Sequence, residues 1–204
     1  MADAEAARGK DIIQLIGAAV EGGATIIQLR GKIWTCREFL QVGINAVQFL
    51  RPKKILLIIN DRVDIALACE ADGVHLGQDD IPLPYARKIL GKKRIIGISA
   101  SAVKEAEAAE KGGADYIGVG PIFRTLSKKD VGPLLGLDRL SKIRKIVKIP
   151  IVAIGGISAA NVAEVISAGA DGVAVISAIT ASDEPQKAAA EIIESINKQK
   201  GRRR

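Results

Sequence analysis

IINDRVDIALACEADGVHLGQDD, residues 58–80, sets two apolar strands around one short helical segment. The first strand, Ile55–Ile59, runs straight into Asn60 and Asp61; the second, Gly73–Leu76, runs into Gln78, Asp79 and Asp80. Neither strand alternates apolar with polar residues, so both read as buried on two faces, the mark of a parallel sheet covered by helices. Both end in acids to which the sequence assigns no basic partner.

The same rhythm extends outward. Strands are expected at Thr25–Leu29, Ile55–Ile59, Gly73–Leu76, Arg94–Ile98, Asp115–Val119, Pro150–Ile154 and Gly172–Ile176, separated by helical patterns such as DIIQLIGAAVEGG, CREFLQVGINAVQFL and SAVKEAEAAEKGG. Strand and helix alternating this way argue for parallel strands joined by crossover helices. EGGATIIQL, CEADGVHLG, KGGADYIGVG and SAGADGVAVIS form an internal repeat whose shared Ala falls at 24, 71, 114 and 170. The intervals of 47, 43 and 56 residues each fit two strand–helix units. Four paired units point to a TIM-type (β/α)8 barrel, an α/β fold, because an open doubly wound sheet has no reason to repeat in quarters. Only seven strands are evident. MADAEAARG reads as too polar and Ala-rich for a buried strand, so the expectation is that the first strand is missing from the chain as given; an open seven-stranded barrel would expose two edges.

Composition fits one domain. The 204 residues are 48% apolar and only 3% aromatic, so Val, Ile, Leu and Ala fill the core. Of the formal charge of +7, five positive residues sit in the tail KQKGRRR, leaving +2 on residues 1–197. The expected organisation is a barrel over 1–197 with a basic, disordered tail at 198–204. No interleaving of basic and aromatic residues points to specific nucleic-acid binding. No apolar run reaches membrane-spanning length, and the N-terminus lacks a signal peptide's hydrophobic region, so a cytoplasmic location is expected. Cys36 and Cys69 lie outside any CxxC and read as reduced packing residues.

In barrels of this type the C-terminal strand ends build the site. Here they read QLRGK (28–32), NDR (60–62), HLGQDD (75–80), ISAS (98–101), GPIFRTLSKKD (120–130), AIGGIS (153–158) and VISAI (175–179). Polar residues gather at this end. Asp61 and Asp80 suit a hard cation such as Mg²⁺, which takes one or two carboxylates plus phosphate oxygens. Gln28, Arg30, Lys32 and Lys128 supply donors and positive charge, and Asn60 and Ser99 add hydrogen bonds. Acids for a metal beside cations for anions point to a diphosphate substrate; the plainer reading makes the acids turn residues or helix caps. Gly155 and Gly156 after the seventh strand, with Ser177 after the eighth, mark a phosphate-monoester site at a place where barrels commonly hold one. His75, the sole histidine, excludes a multi-histidine metal site and reads as a satisfied strand-end residue able to bond a phosphate. Trp34 and Cys36 read as helix-packing residues, Asp79 as the exposed neighbour of Asp80, and Lys129 and Asp130 as a solvated loop tip.

From about Gly9 to near the C-terminus, QLRGK, INDRVDIALACEADGVHLGQDD, GIS, DYIGVGPIFRTLSK, IPIVAIGGI and GVAVISAI resemble, in order and spacing, the thiamine-phosphate synthase family. The resemblance implies a barrel transferase that joins 4-amino-5-hydroxymethyl-2-methylpyrimidine diphosphate to a thiazole phosphate with Mg²⁺. It implies small-molecule partners, no membrane, and leaves homo-oligomerisation open. It places Gln28, Arg30, Lys32, Asn60, Ser99 and Lys128 on the pyrimidine diphosphate, with Lys128, Arg30, Lys32 and Ser99 catalytic, and counts Leu29 and Gly31 among the substrate-binding residues. Asp61 and Asp80 would hold the metal; Thr125, Leu126, Ser127, Gly156, Ile176 and Ser177 would hold the thiazole phosphate. The family usually carries an acid where this chain has Gly31. Two alternatives are a thiazole tautomerase-like paralogue, which uses a histidine where this chain has Pro121, and a non-catalytic binder of phosphate ligands.

Overall fold

A computed structural model describes residues 1–125 and 132–201. Eight strands form one parallel sheet in sequential order: β1 (Ala2–Asp3), β2 (Ile26–Arg30), β3 (Leu56–Asn60), β4 (Gly73–Leu76), β5 (Ile95–Ala100), β6 (Tyr116–Val119), β7 (Ile151–Ile154) and β8 (Gly172–Ala174). The crossovers carry α1 (Ile12–Glu21), α2 (Cys36–Leu50), α3 (Val63–Ala68), α4 (Leu83–Leu90), α5 (Val103–Lys111), α6 (Gly136–Ile146) and α7 (Val162–Ser167). A short α8 (Ser177–Thr180) and a long α9 (Pro185–Gly201) follow β8. Leu29, Ile59, Val74, Leu76, Ile96, Ile117, Val119 and Ile151 are sealed from solvent, as the continuous apolar runs require.

The missing first strand is a misreading, corrected by pairing. Ala2 and Asp3 lie opposite Leu29 and Arg30 of β2, and the Ala4 N–H continues the contact by donating to the Arg30 carbonyl at 3.0 Å. A two-residue strand needs no apolar run. Ala2 buries against the core, and Asp3 is buried because the guanidinium of Arg30 lies 2.6 Å away. At the other side of the seam the Met1 amino group donates to the Val175 carbonyl at 2.7 Å, bringing β1 beside the end of β8.

The quarter-repeat has a physical origin. At each copy the residue before the shared Ala has positive φ: Gly23 (97°), Glu70 (57°), Gly113 (86°) and Gly169 (114°). Its N–H bonds back three residues, and the Ala N–H bonds back five, to Ala19, Ala66, Ala109 and Val165. That pair of bonds is the Schellman helix stop, which satisfies carbonyls a helix end leaves open. The next residue is Thr25, Asp72, Asp115 or Asp171. The three aspartates each accept the backbone N–H of the preceding strand, from Leu57 (2.8 Å), Ile96 (2.7 Å) and Ile151 (2.8 Å). Each repeat thus ends a helix, and the three that carry an aspartate also fasten the foot of one strand to its neighbour.

The tail at 198–204 is also corrected in part. α9 runs through Gly201, with Lys198 paired to Glu194 and Lys200 donating to the Asp171 carbonyl at 2.7 Å; residues 202–204 lie outside the described set. Cys36 is exposed, Cys69 buried, and both are free thiols.

Candidate active site

Asp61 follows β3 directly and adopts φ 64°, a left-handed turn that Asp tolerates better than most residues. Its N–H donates to the His75 carbonyl of β4 at 2.8 Å, so the turn is anchored on the neighbouring strand. Asp80 is fixed in the loop after β4, where its carboxylate accepts the Gly77 N–H at 2.6 Å. Burial pushes the Asp80 carboxyl up from the usual range; the Gly77 N–H opposes this, and hydrogen-bonding contact with Asp61 adds to it. Two acids from successive strands are therefore brought face to face. The expectation that they lack a basic side chain is corrected: Lys32, just past β2, reaches Asp61 at 2.5 Å. Strand order explains why the sequence hides this pair, since β2 and β3 are neighbours only in the fold.

No group of three or more His, Cys, Asp or Glu able to hold a metal occurs among the described residues. Two adjoining carboxylates, one held above its ordinary range, fit Mg²⁺, which keeps waters and takes substrate oxygens; they do not make an all-protein cage for Ca²⁺ or Zn²⁺.

Arg30 is buried at the end of β2 between Asp3 at 2.6 Å and the half-exposed Glu5 at 3.4 Å. Asp3 is a site residue that sequence reasoning missed. Gly31 permits close packing by Trp34: a Cβ at Gly31 would collide with the indole, which in turn packs on Phe39 of α2 at a centroid distance of 5.7 Å. Any side chain larger than glycine at this position would have to displace Trp34.

Further around the rim, Asn60 is buried at the tip of β3 opposite His75. His75 is more than a satisfied strand end. Its Nδ1 lies 2.9 Å from the Tyr116 hydroxyl and its Nε2 2.9 Å from Ser99 Oγ, joining β4, β5 and β6. Tyr116, also missed, is largely buried, and burial pushes its phenol up while a hydrogen bond from Gln28 opposes the shift. Gln28 Oε1 is itself buried without a hydrogen-bond partner among the described residues. The exposed Gln78 donates to the Ser99 carbonyl at 2.5 Å, and Asp79 is exposed as expected.

Gly155 and Gly156 have φ 101° and 63° and lie against the chain after β6, where a Cβ on Gly156 would sit 2.5 Å from the Arg124 carbonyl oxygen. Thr125 is half-buried in that segment. Ile176 is buried, and Ser177 opens α8. Leu126, Ser127, Lys128, Lys129 and Asp130 lie outside the described residues. A cavity of about 470 Å³ lies between α1 and α9, lined by Ala18, Glu21, Glu184, Lys187 and Ala190; another of about 180 Å³ lies at the foot of β3 beside Leu57 and Asp72. Neither carries the convergent polar groups of the rim, and chemistry outranks volume here.

A parallel eight-stranded sheet with acids, cations and hydrogen-bonding side chains gathered at its C-terminal rim defines a TIM-type (β/α)8 barrel. The chain matches the family described as thiamine monophosphate synthase over residues 1–179, and it belongs to that family. It is 49% identical to a thiamine-phosphate synthase of Moorella thermoacetica, with 95% of this chain and 92% of that protein covered. It is 46% identical to one of Chloroflexus aurantiacus, with 93% and 88% covered. Among solved structures, thiamine phosphate pyrophosphorylase from Pyrococcus furiosus superposes with a TM-score of 0.87 at 42% identity, covering 94% of this chain and 92% of that one.

Proposed function

We propose that the protein is a transferase that condenses 4-amino-5-hydroxymethyl-2-methylpyrimidine diphosphate with a thiazole phosphate, releasing thiamine phosphate and diphosphate, with CO₂ when the thiazole carries a carboxylate. The observation that carries this reading is the facing Asp61–Asp80 pair with Lys32 beside it, in a chain of this family. Asp61 and Asp80 hold Mg²⁺ in this reading, and the ion supplies neutralisation of diphosphate charge.

Arg30, Lys32 and Lys128 hold the diphosphate and stabilise it as it leaves. Gln28, Leu29, Gly31 and Asn60 line the pyrimidine, and the unpartnered Gln28 Oε1 accepts from its exocyclic amine. Ser99 donates a hydrogen bond. The aminopyrimidine stabilises the methylene cation left behind, and the thiazole nitrogen captures it. Thr125, Leu126, Ser127, Gly156, Ile176 and Ser177 hold the thiazole phosphate so that this nitrogen faces the cation. No protein nucleophile is needed; the residues act by position and by preorganised charge. Both precursors carry phosphate charges that a bilayer excludes, which supports a cytoplasmic reaction; no helix among the described residues is long and apolar enough to cross a membrane.

The tautomerase-like alternative lacks its histidine: Pro121 follows β6, and the sole histidine, His75, lies on β4. A purely binding protein would leave the precursors unchanged. Incubation of the full chain with both precursors and Mg²⁺ tests the proposal: thiamine phosphate and diphosphate should appear in equal amounts, and neither should form when a precursor is omitted. Diphosphate release without the thiazole phosphate, or no product from the complete mixture, contradicts it.

A further inference from the structure

Ser99, His75 and Tyr116 form a continuous side-chain chain across β5, β4 and β6. Its direction follows from donor supply. The Tyr116 hydroxyl is hydrogen-bonded to His75 Nδ1, and that nitrogen is the acceptor at hand for a phenol hydrogen held away from water. Largely buried, with its phenol pushed up by burial, Tyr116 keeps that hydrogen and presents it to His75 Nδ1 at 2.9 Å. An imidazole whose Nδ1 accepts carries its proton on Nε2, and Nε2 lies 2.9 Å from Ser99 Oγ. With one lone pair of Oγ taken by the Nε2–H, the serine hydroxyl has its own hydrogen to give.

The packing is cut to keep this chain in place. A Cβ at Gly97 would overlap the Tyr116 ring, and one at Gly118 would stand 2.8 Å from His75 Cε1. Two adjoining strands therefore use glycine where the two rings lie. Sheet register sets Gly97 opposite both His75 and Tyr116, and Gly118 opposite Ser99. A polar chain in a low-dielectric interior is stabilised when each member is satisfied, and each bond strengthens the next.

We infer that Tyr116 and His75 are positioning residues that hold Ser99 as a one-way hydrogen-bond donor to the substrate, with His75 fixed as the neutral Nε2–H tautomer. A neutral relay adds a directed donor without adding positive charge. It therefore complements the rim cations, which attract a diphosphate from every side but do not orient it. The tautomer stands on the Ser99–His75–Tyr116 geometry and the burial of Tyr116; only the kinetic consequence rests on the proposed reaction.

The single histidine makes the test direct. In the full chain carrying ¹⁵N-labelled histidine, long-range proton–nitrogen correlation spectra should show a protonated Nε2 and a bare, hydrogen-bonded Nδ1. The opposite tautomer, or a doubly protonated ring at neutral pH, overturns the inference. Tyr116→Phe should move the Nδ1 resonance towards that of an unbonded nitrogen. It should also lower kcat about tenfold, below the loss from removing a direct donor, with KM for the thiazole phosphate unchanged. An unmoved Nδ1 resonance, or a change in that KM with kcat intact, counts against it. The wild-type spectrum decides alone should Tyr116→Phe fail to fold. The expected tautomer in a chain that releases no diphosphate supports the relay and counts against the reaction.

Discussion

Asp72, Asp115 and Asp171 at the feet of the strands and Asp61 and Asp80 at the rim are one residue type in opposite settings. Each foot aspartate accepts a backbone N–H of the preceding strand, and Asp115 and Asp171 also meet Arg87 at 2.6 Å and Arg144 at 2.8 Å. Their charge is answered where they stand. At the rim Asp80 is partly desolvated and faces Asp61, so two negative groups share one place with a lysine at its edge. Satisfied carboxylates staple the fold; crowded ones store a demand for positive charge, which is what a metal–diphosphate site exploits.

The comparison can be broken first at Arg30. Asp3→Ala leaves a buried guanidinium with only the distant, half-exposed Glu5, and denaturant unfolding should show a loss of about 3 kcal/mol. An unchanged midpoint would mean that the short first strand carries no structural weight. At the foot, Asp171→Ala removes an acceptor for the Ile151 N–H and the partner of Arg144. Stability should fall by about 1 kcal/mol while kcat of the folded enzyme stays unchanged. A large kcat loss with little destabilisation would erase the distinction between foot and rim.

The smallest effect has the opposite sign. The folded-state value of Asp80 is raised, so its contribution favours folding at low pH and is lost as pH rises through that value. Asp80→Asn keeps an acceptor for the Gly77 N–H and removes the charge. In chelator, thermal unfolding should therefore show the variant more stable than the parent by about a few tenths of a kcal/mol at neutral pH, given solvent screening. The gain should vanish in acid, where the parent carboxyl is protonated too. A variant less stable at neutral pH would show that the rim acids are already satisfied.

Much of the foot was legible in the sequence because its devices are local. A Schellman stop needs a residue that accepts positive φ and a small residue after it, and four copies at regular intervals exposed the barrel. The rim acids were legible as polar ends on apolar runs. Their lysine was not, because Lys32 meets Asp61 only through the β2–β3 register. The first strand escaped because Asp3 is buried by an ion pair with a residue 27 positions away, which leaves no periodic trace. Tyr116 escaped in the same way: within DYIGVG it reads as one more strand residue until the sheet sets its hydroxyl on His75.

Diphosphate release measured against Mg²⁺ concentration, in the wild type and in Asp61→Ala, bears most directly on the metal–diphosphate site proposed at the rim. The wild type should show saturable, Mg²⁺-dependent release. Asp61→Ala should lose about a hundredfold or more in kcat, far more than the roughly 1 kcal/mol of stability that Ala costs at this left-handed position. Near-normal, Mg²⁺-dependent turnover by Asp61→Ala would contradict the assignment of the facing acids as the metal site.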